Sequence, residues 1–192
     1  QICSVGMVGA GKGSLDILRA WSQLPQKIRD QSQLIFLGDN DSHDYGQSML
    51  REIERLEAHS QVMITGWTPD HLYNNYLASS DFAIQLRTIS RGESSAAVLD
   101  VISSSIPTIV NANASMRELP SKSVLTVPEH FQAEDLCTAM QTLISDLVGY
   151  RSRASSAQIE LQTSHAPDAV GKAYREALEK IYACNAGIEQ EG

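Results

Sequence analysis

Two clusters in this sequence have the residue types and spacing for chemistry on a phosphorylated ligand. The first is Arg91-Gly92-Glu93-Ser94-Ser95-Ala96-Ala97-Val98-Leu99-Asp100, which runs on as an apolar helical segment to Ile106-Pro107-Thr108-Ile109-Val110-Asn111. A small-residue turn opens a helix there, and a short β-branched strand follows. The unpaired N–H groups and positive dipole end of a helix form a natural seat for phosphate. Ser94 and Ser95 suit phosphate contact or N-capping. As nucleophiles they would need a nearby base, and none is indicated. Asp100, about two turns in, can accept hydrogen bonds from a sugar hydroxyl. Together these features point to a nucleotide-sugar pocket.

The second cluster is Gly6-Met7-Val8-Gly9-Ala10-Gly11-Lys12-Gly13-Ser14, a G-x-x-x-x-G-K run between a strand and a helix. Backbone N–H groups and a lysine hold phosphates in such loops. Gly13 occupies the place where a magnesium-binding Ser or Thr usually stands. The variant resembles the loop of adenylate kinases, so a phosphotransferase of the nucleoside monophosphate kinase type is one reading. Against it, there is no Asp-Gly-Phe-Pro-Arg segment and no recognisable lid insertion. Lys12 on a glycine-rich turn serves equally well to hold a diphosphate without metal.

Other polar groups carry weaker signals. Asp39-Asn40-Asp41 follows a strand, where turn-making and capping are the expected duties rather than metal binding. Trp67 either lies against a nucleobase or serves a core or lid. His43, His59, His71, His130 and His165 share no ligand spacing.

The elements that position these groups alternate along the chain. Strand patterns fall at 2–8, 34–37, 61–66, 81–86, 108–110 and 124–127. Helical spacing falls at 14–24, through Met49, Ile53 and Leu56, at 69–79, after the Arg91 turn, and at 133–147, 150–162 and 167–184. In the last helix Val170, Tyr174, Leu178 and Ile181 read as a packed face. Repeated β-then-α order with short links implies an α/β fold with a doubly wound parallel sheet, whose ligands sit beyond the carboxyl ends of the strands. One domain over 1–192 is expected.

The 192 residues are 42% hydrophobic and 20% charged, enough for a real core. A net charge of −8 argues against nucleic-acid partners and anionic membranes. No apolar run is long enough to span a bilayer, and no signal peptide is recognisable. Cys3, Cys137 and Cys184 have no redox or metal spacing. A cytoplasmic location follows as an expectation, peripheral to a membrane only through a parent protein. The opening run Ile2-Cys3-Ser4-Val5-Gly6 already reads as a core strand, so an upstream domain absent from this chain is expected.

Taken in order, these segments resemble the C-terminal, donor-binding half of a family 4 glycosyltransferase with the GT-B fold. The likeness runs from Val5-Gly6-Met7-Val8 and Lys12-Gly13 through Phe36-Leu37-Gly38-Asp39, Ile64-Thr65-Gly66-Trp67 and Ser80-Asp81. It is closest from Arg87 to Asn111 and continues into Met116-Arg117-Glu118-Leu119-Pro120. The resemblance implies a Rossmann-like half of a GT-B enzyme and a retaining transfer from a UDP-sugar, with no metal and no other cofactor. It implies a role in polysaccharide biosynthesis, and an acceptor sugar or lipid brought by the missing N-terminal domain, so the isolated domain is expected to be inactive.

The resemblance also assigns residues. Lys12 contacts the donor diphosphate, with Gly9 in the same loop. The usual companion arginine, which this sequence lacks, would fall at Met7, and Arg87 and Arg91 are the candidates to replace it. Asp100 stands where the family's ribose-binding glutamate falls, one methylene shorter. Glu93 corresponds to the first acidic residue of the pair, closer to its partner than usual; it either faces the sugar, the reading favoured here, or caps the helix with a favourable charge. Glu93 and Lys12 are thus the expected catalytic groups, with Gly9, Trp67, Arg87, Arg91, Ser94, Ser95 and Asp100 binding substrate. A non-catalytic nucleotide-sugar binder remains an alternative, since Met7 and Asp100 both depart from the family.

Overall fold

A computed structural model describes residues 1–119 and 124–188. Pro120 and the Cys184 side chain lie outside the described residues. Four strands are buried at every position: β1 (Ile2–Val5), β2 (Leu34–Leu37), β4 (Phe82–Gln85) and β5 (Thr108–Asn111). Burial on both faces is what a parallel sheet between two helical layers requires. The strands β3 (Val62–Ile64) and β6 (Val124–Val127) are exposed at Met63 and Thr126, which suits sheet edges. All pairings are parallel, in the order β3-β2-β1-β4-β5-β6. The doubly wound α/β sheet is therefore the fold.

Between the strands run α1 (Ser14–Ser22), the short α2 (Gln26–Arg29), α3 (Asp44–Arg55), α4 (Asp70–Ser79) and α5 (Ala96–Ser103). After β6 come α6 (Ala133–Ser145), α7 (Leu147–Ser164) and α8 (Pro167–Ile188). Alternating strand side chains feed two cores. Ile2, Leu34, Phe36 and Ile84 pack with Ile17 and Leu18 of α1, Met49 and Ile53 of α3, and Leu136 and Met140 of α6. Cys3, Val5, Leu37 and Ala83 pack on the other face with Leu77 of α4 and Val101 of α5. The chain thus changes faces after β3, and strand order reverses between β1 and β4. That reversal is the topological switch point, where doubly wound sheets open a crevice.

Two features open the crevice. β1 and β4 pair at Ile2↔Phe82 and Cys3↔Ala83 and then part. Beyond that point Gln85, only 1% exposed, takes over the ladder. In the amide orientation that satisfies both its polar atoms, its nitrogen donates to the Val5 carbonyl (3.2 Å) and its oxygen accepts from the Val5 N–H (2.7 Å). The second feature is a close approach of two loops. A Cβ at Gly38 (φ +154°) would lie 2.5 Å from the Gly6 carbonyl oxygen, so the β1 loop crosses the end of β2 only because position 38 has no side chain.

Several elements differ from the sequence reading. β1 stops at Val5 rather than residue 8, because Gly6 adopts φ +107° and turns the chain out of the sheet. β3 is shorter than 61–66, since the Thr65 hydroxyl accepts from Gly38 N–H and ties the chain into a loop. The 3-10 turns at Ala10–Lys12 and Ala114–Glu118 have no apolar periodicity to announce them. Contacts group the chain into two compact units, Gln1–Gln158 and Ile159–Gly192. The sheet belongs to the first unit. In the second, the α8 stripe Val170, Tyr174, Leu178 and Ile181 is exposed rather than packed, because helical spacing states only which residues share a face.

Candidate functional site

The loop from Gly6 to Gly13 crosses the carboxyl end of β1, at the switch point. Its backbone is largely engaged by its own surroundings. Gly6 N–H donates to Leu37, Val8 N–H to Asp39, Lys12 N–H to Gly9 and Gly13 N–H to Ala10. Gly9 is buried, and its N–H donates to the Ser14 hydroxyl (3.2 Å). A phosphate cradle of the P-loop kind needs such amides turned toward the ligand, and these five are turned away. The Lys12 side chain is the group the loop presents.

Lys12 folds back over the end of β1. A Cβ at Gly6 would sit 3.3 Å from Lys12 Cε and 3.4 Å from Nζ. Burial pushes the Lys12 pKa below its ordinary value, and the neighbouring Arg87 guanidinium pushes it further down. Arg87 enters from the end of β4 with its side chain 17% exposed, and its Nε is buried without a partner. A partly buried lysine beside a second cation is disfavoured in its charged form, and an anion placed at Lys12 relieves it. Arg87 is thus the arginine that stands beside Lys12, whereas Arg91 lies exposed in the next turn.

The Arg87 backbone is held by a residue that carried no expected role. Asn111, fully buried at the end of β5, accepts from Arg87 N–H (2.8 Å) and donates to Arg87 O (2.7 Å). Thr88 then ties this segment to the Lys12 loop, donating from its N–H to Gly11 O (3.1 Å) and from its hydroxyl to Ala10 O (2.9 Å).

The Arg91 cluster folds as a turn followed by a late helix. The Glu93 carboxylate accepts from Arg91 N–H (2.7 Å) and ion-pairs with Arg87. Backbone N–H donors, its own and that of Arg91, hold its carboxyl below the usual range, and Arg87 adds to this. The turn so clamped delays the helix to Ala96, where Ser95, buried, caps it by accepting from Val98 N–H (3.4 Å). Ser94 is exposed. Asp100 is therefore the fifth residue of α5, nearer the helix start than the two turns expected.

Asp100 is not solitary. Its Oδ2 accepts from the Tyr73 hydroxyl on α4 at 3.0 Å. Tyr73 in turn walls a cleft of about 270 Å³ together with Gly6, Met7, Asp39, Trp67 and Thr68. Trp67 is 76% exposed at this cleft, with no core role. Gly6 joins the two halves of the site, lying under Lys12 and lining the cleft.

Lys12, Arg87 and Glu93 thus form one group, and Trp67, Tyr73 and Asp100 form another beside it. Gly9, Ser95 and the Arg91 side chain stand outside both. Asp41 accepts from His43 N–H (2.8 Å) and Asn40 donates to Gly46 O (3.2 Å), the turn duties expected of that segment. An amide side chain ending a β-branched strand is the signal that points to Asn111; nothing in one sequence marks Tyr73.

The family model for glycosyl transferases group 1 matches residues 1–160. This chain belongs to that family. Solved structures share the fold of this group 1 domain. HepE from Anabaena, solved with UDP, is 18% identical with a TM-score of 0.80, covering 93% of this chain and 48% of that one. Sucrose-phosphate synthase from Thermosynechococcus elongatus is 17% identical with a TM-score of 0.77, covering 95% of this chain and 46% of that one. The C-terminal domain of the group 1 protein LpcC from Francisella tularensis is 12% identical with a TM-score of 0.72, covering 85% of each chain. The group 1 domain thus spans about half the length of the first two. No curated protein matches the sequence. Among the described residues, no helix of the domain is long and apolar enough to cross a membrane.

Proposed function

We propose that this group 1 domain is the donor-binding half of a retaining glycosyltransferase, that its donor is a UDP-sugar, and that a second domain brings the acceptor sugar or lipid. The observation that carries the reading is the desolvated Lys12–Arg87 pair at the switch point, beside a cleft that reaches Asp100 through Tyr73. Lys12 and Arg87 hold the diphosphate and stabilise the charge that develops as it leaves. Arg87 takes the part of the arginine missing at Met7. Asp100 accepts from the ribose, Trp67 lies against the base, and Glu93 holds Arg87 while bordering the sugar. No metal is needed, because the two cations neutralise the diphosphate. With the acceptor supplied elsewhere, the isolated domain lacks part of its positioning machinery and is inactive.

The test is a calorimetric titration of the domain with UDP, UDP-glucose, GDP, ADP and ATP, with and without magnesium. UDP and UDP-glucose are expected to bind without the metal. A strict magnesium requirement with a preference for ATP would instead support a phosphotransferase.

The same site predicts a pH dependence. The folded pKa of Lys12 is depressed, so the empty domain gains stability as pH rises through that value toward the ordinary 10.5. A bound anion favours the ammonium and raises the pKa again. UDP affinity is therefore expected to fall as pH climbs through the depressed value, with proton uptake on binding. Titrations in two buffers of different ionisation enthalpy measure that uptake. Binding without proton linkage across the alkaline range would put the diphosphate away from Lys12.

A further inference from the structure

We propose that Tyr73 is a positioning residue for ribose recognition: its hydroxyl holds one oxygen of Asp100 so that the other faces the sugar diol. The inference rests on the reading of Asp100 as the ribose acceptor and adds a residue to it. Asp100 is exposed on α5, and among the described residues Tyr73 is the side chain that bonds its carboxylate. A carboxylate free to turn loses entropy whenever it engages a ligand, whereas one already held does not. The Tyr73 hydroxyl supplies that hold at 3.0 Å. Burial, and then the Asp100 charge, push the tyrosine pKa above its ordinary value, so the phenol stays a donor.

The geometry also ties this hold to the cleft. Tyr73 belongs to the cleft wall that includes Trp67 and Gly6, and its hydroxyl reaches from that wall to Asp100. Oδ2 is engaged by Tyr73, which leaves Oδ1 to accept from a ribose hydroxyl. An aspartate, shorter than a glutamate, gains most from a neighbour that fixes its direction. Tyr73 thus acts through Asp100 and contributes to the discrimination between ribose and deoxyribose.

The experiment is titration of the full chain and its variants with UDP and 2′-deoxy-UDP. The unaltered chain is expected to prefer UDP by about tenfold or more, the worth of one charge-assisted bond. Tyr73→Phe keeps the ring and should reduce the preference to about threefold or less, with 2′-deoxy-UDP affinity within about twofold of the unaltered chain. Asp100→Ala should abolish the preference. A Tyr73→Phe variant that keeps the full preference, or that loses both ligands equally, overturns the positioning role. Asp100→Ala keeping the preference overturns the Asp100 reading itself, and the Tyr73 inference with it, while UDP binding still supports the donor-site proposal. Melting temperatures of the empty variants are measured alongside, and titration at low temperature keeps a weakened variant folded.

Discussion

Lys12→Ala is expected to weaken UDP binding about ten- to a hundredfold while leaving uridine binding nearly unchanged. The size follows from a charge-assisted contact worth roughly 1.5–3 kcal/mol. The selectivity follows from position. Lys12 leans over Gly6 at the end of β1, beside Arg87 and apart from the cleft wall formed by Trp67 and Tyr73. The substitution also removes a desolvated cation, so the empty domain should become slightly more stable rather than less. Calorimetry with UDP and uridine checks the first point and thermal melting the second. Equal losses for the two ligands would remove Lys12 from the diphosphate.

Asn111→Ala is expected to destabilise the domain by about 2–4 kcal/mol, the largest stability change at the site. Its fully buried amide accepts from Arg87 N–H, donates to Arg87 O and lies 3.4 Å from the Glu129 carbonyl. Alanine leaves the part-buried Arg87 backbone groups without these partners, at up to roughly 1–3 kcal/mol each before relaxation. Because Arg87 would then be free to shift, UDP affinity should fall as well. Urea denaturation measures the stability, and a loss below about 1 kcal/mol would mean that water replaces the amide.

The contrast between Lys12 and Asn111 indicates what a sequence discloses. The four central strands were legible because burial on both faces favours mostly apolar runs, with only Ser4, Gln85, Thr108 and Asn111 polar among them. The doubly wound order followed from strand–helix alternation. Lys12 stood out in sequence as a lysine on a glycine-rich βα turn, open to a diphosphate, a P-loop or a solvated role, and the fold sets it over Gly6 at the end of β1. The choice between Arg87 and Arg91 was not, since both lie in one irregular segment and only the fold sets Arg87 beside Lys12. The start of α5 was misplaced because the Glu93 carboxylate clamps the preceding turn, a local contact that periodicity does not register. Tyr73 and Asp100 are partners across two helices, and neither pattern nor spacing links them. The amides of the Gly6–Gly13 loop looked available for phosphate in sequence; hydrogen bonds to distant carbonyls at Leu37 and Asp39 engage two of them.

The position of β1 has a consequence for how the domain is made. β1 is central, with Ile2 beside Leu34 on one side and beside Phe82 on the other. Its second neighbour therefore emerges from the ribosome long after β1 itself. At about 5–20 residues per second, the strand waits on the order of several seconds with one ladder edge unpaired and apolar on both faces. Pairing so distant in sequence also closes slowly, because the loop entropy is lost before the contacts form. A nascent chain paused before Phe82 therefore leaves one edge of its central strand open, a surface that a chaperone can cover.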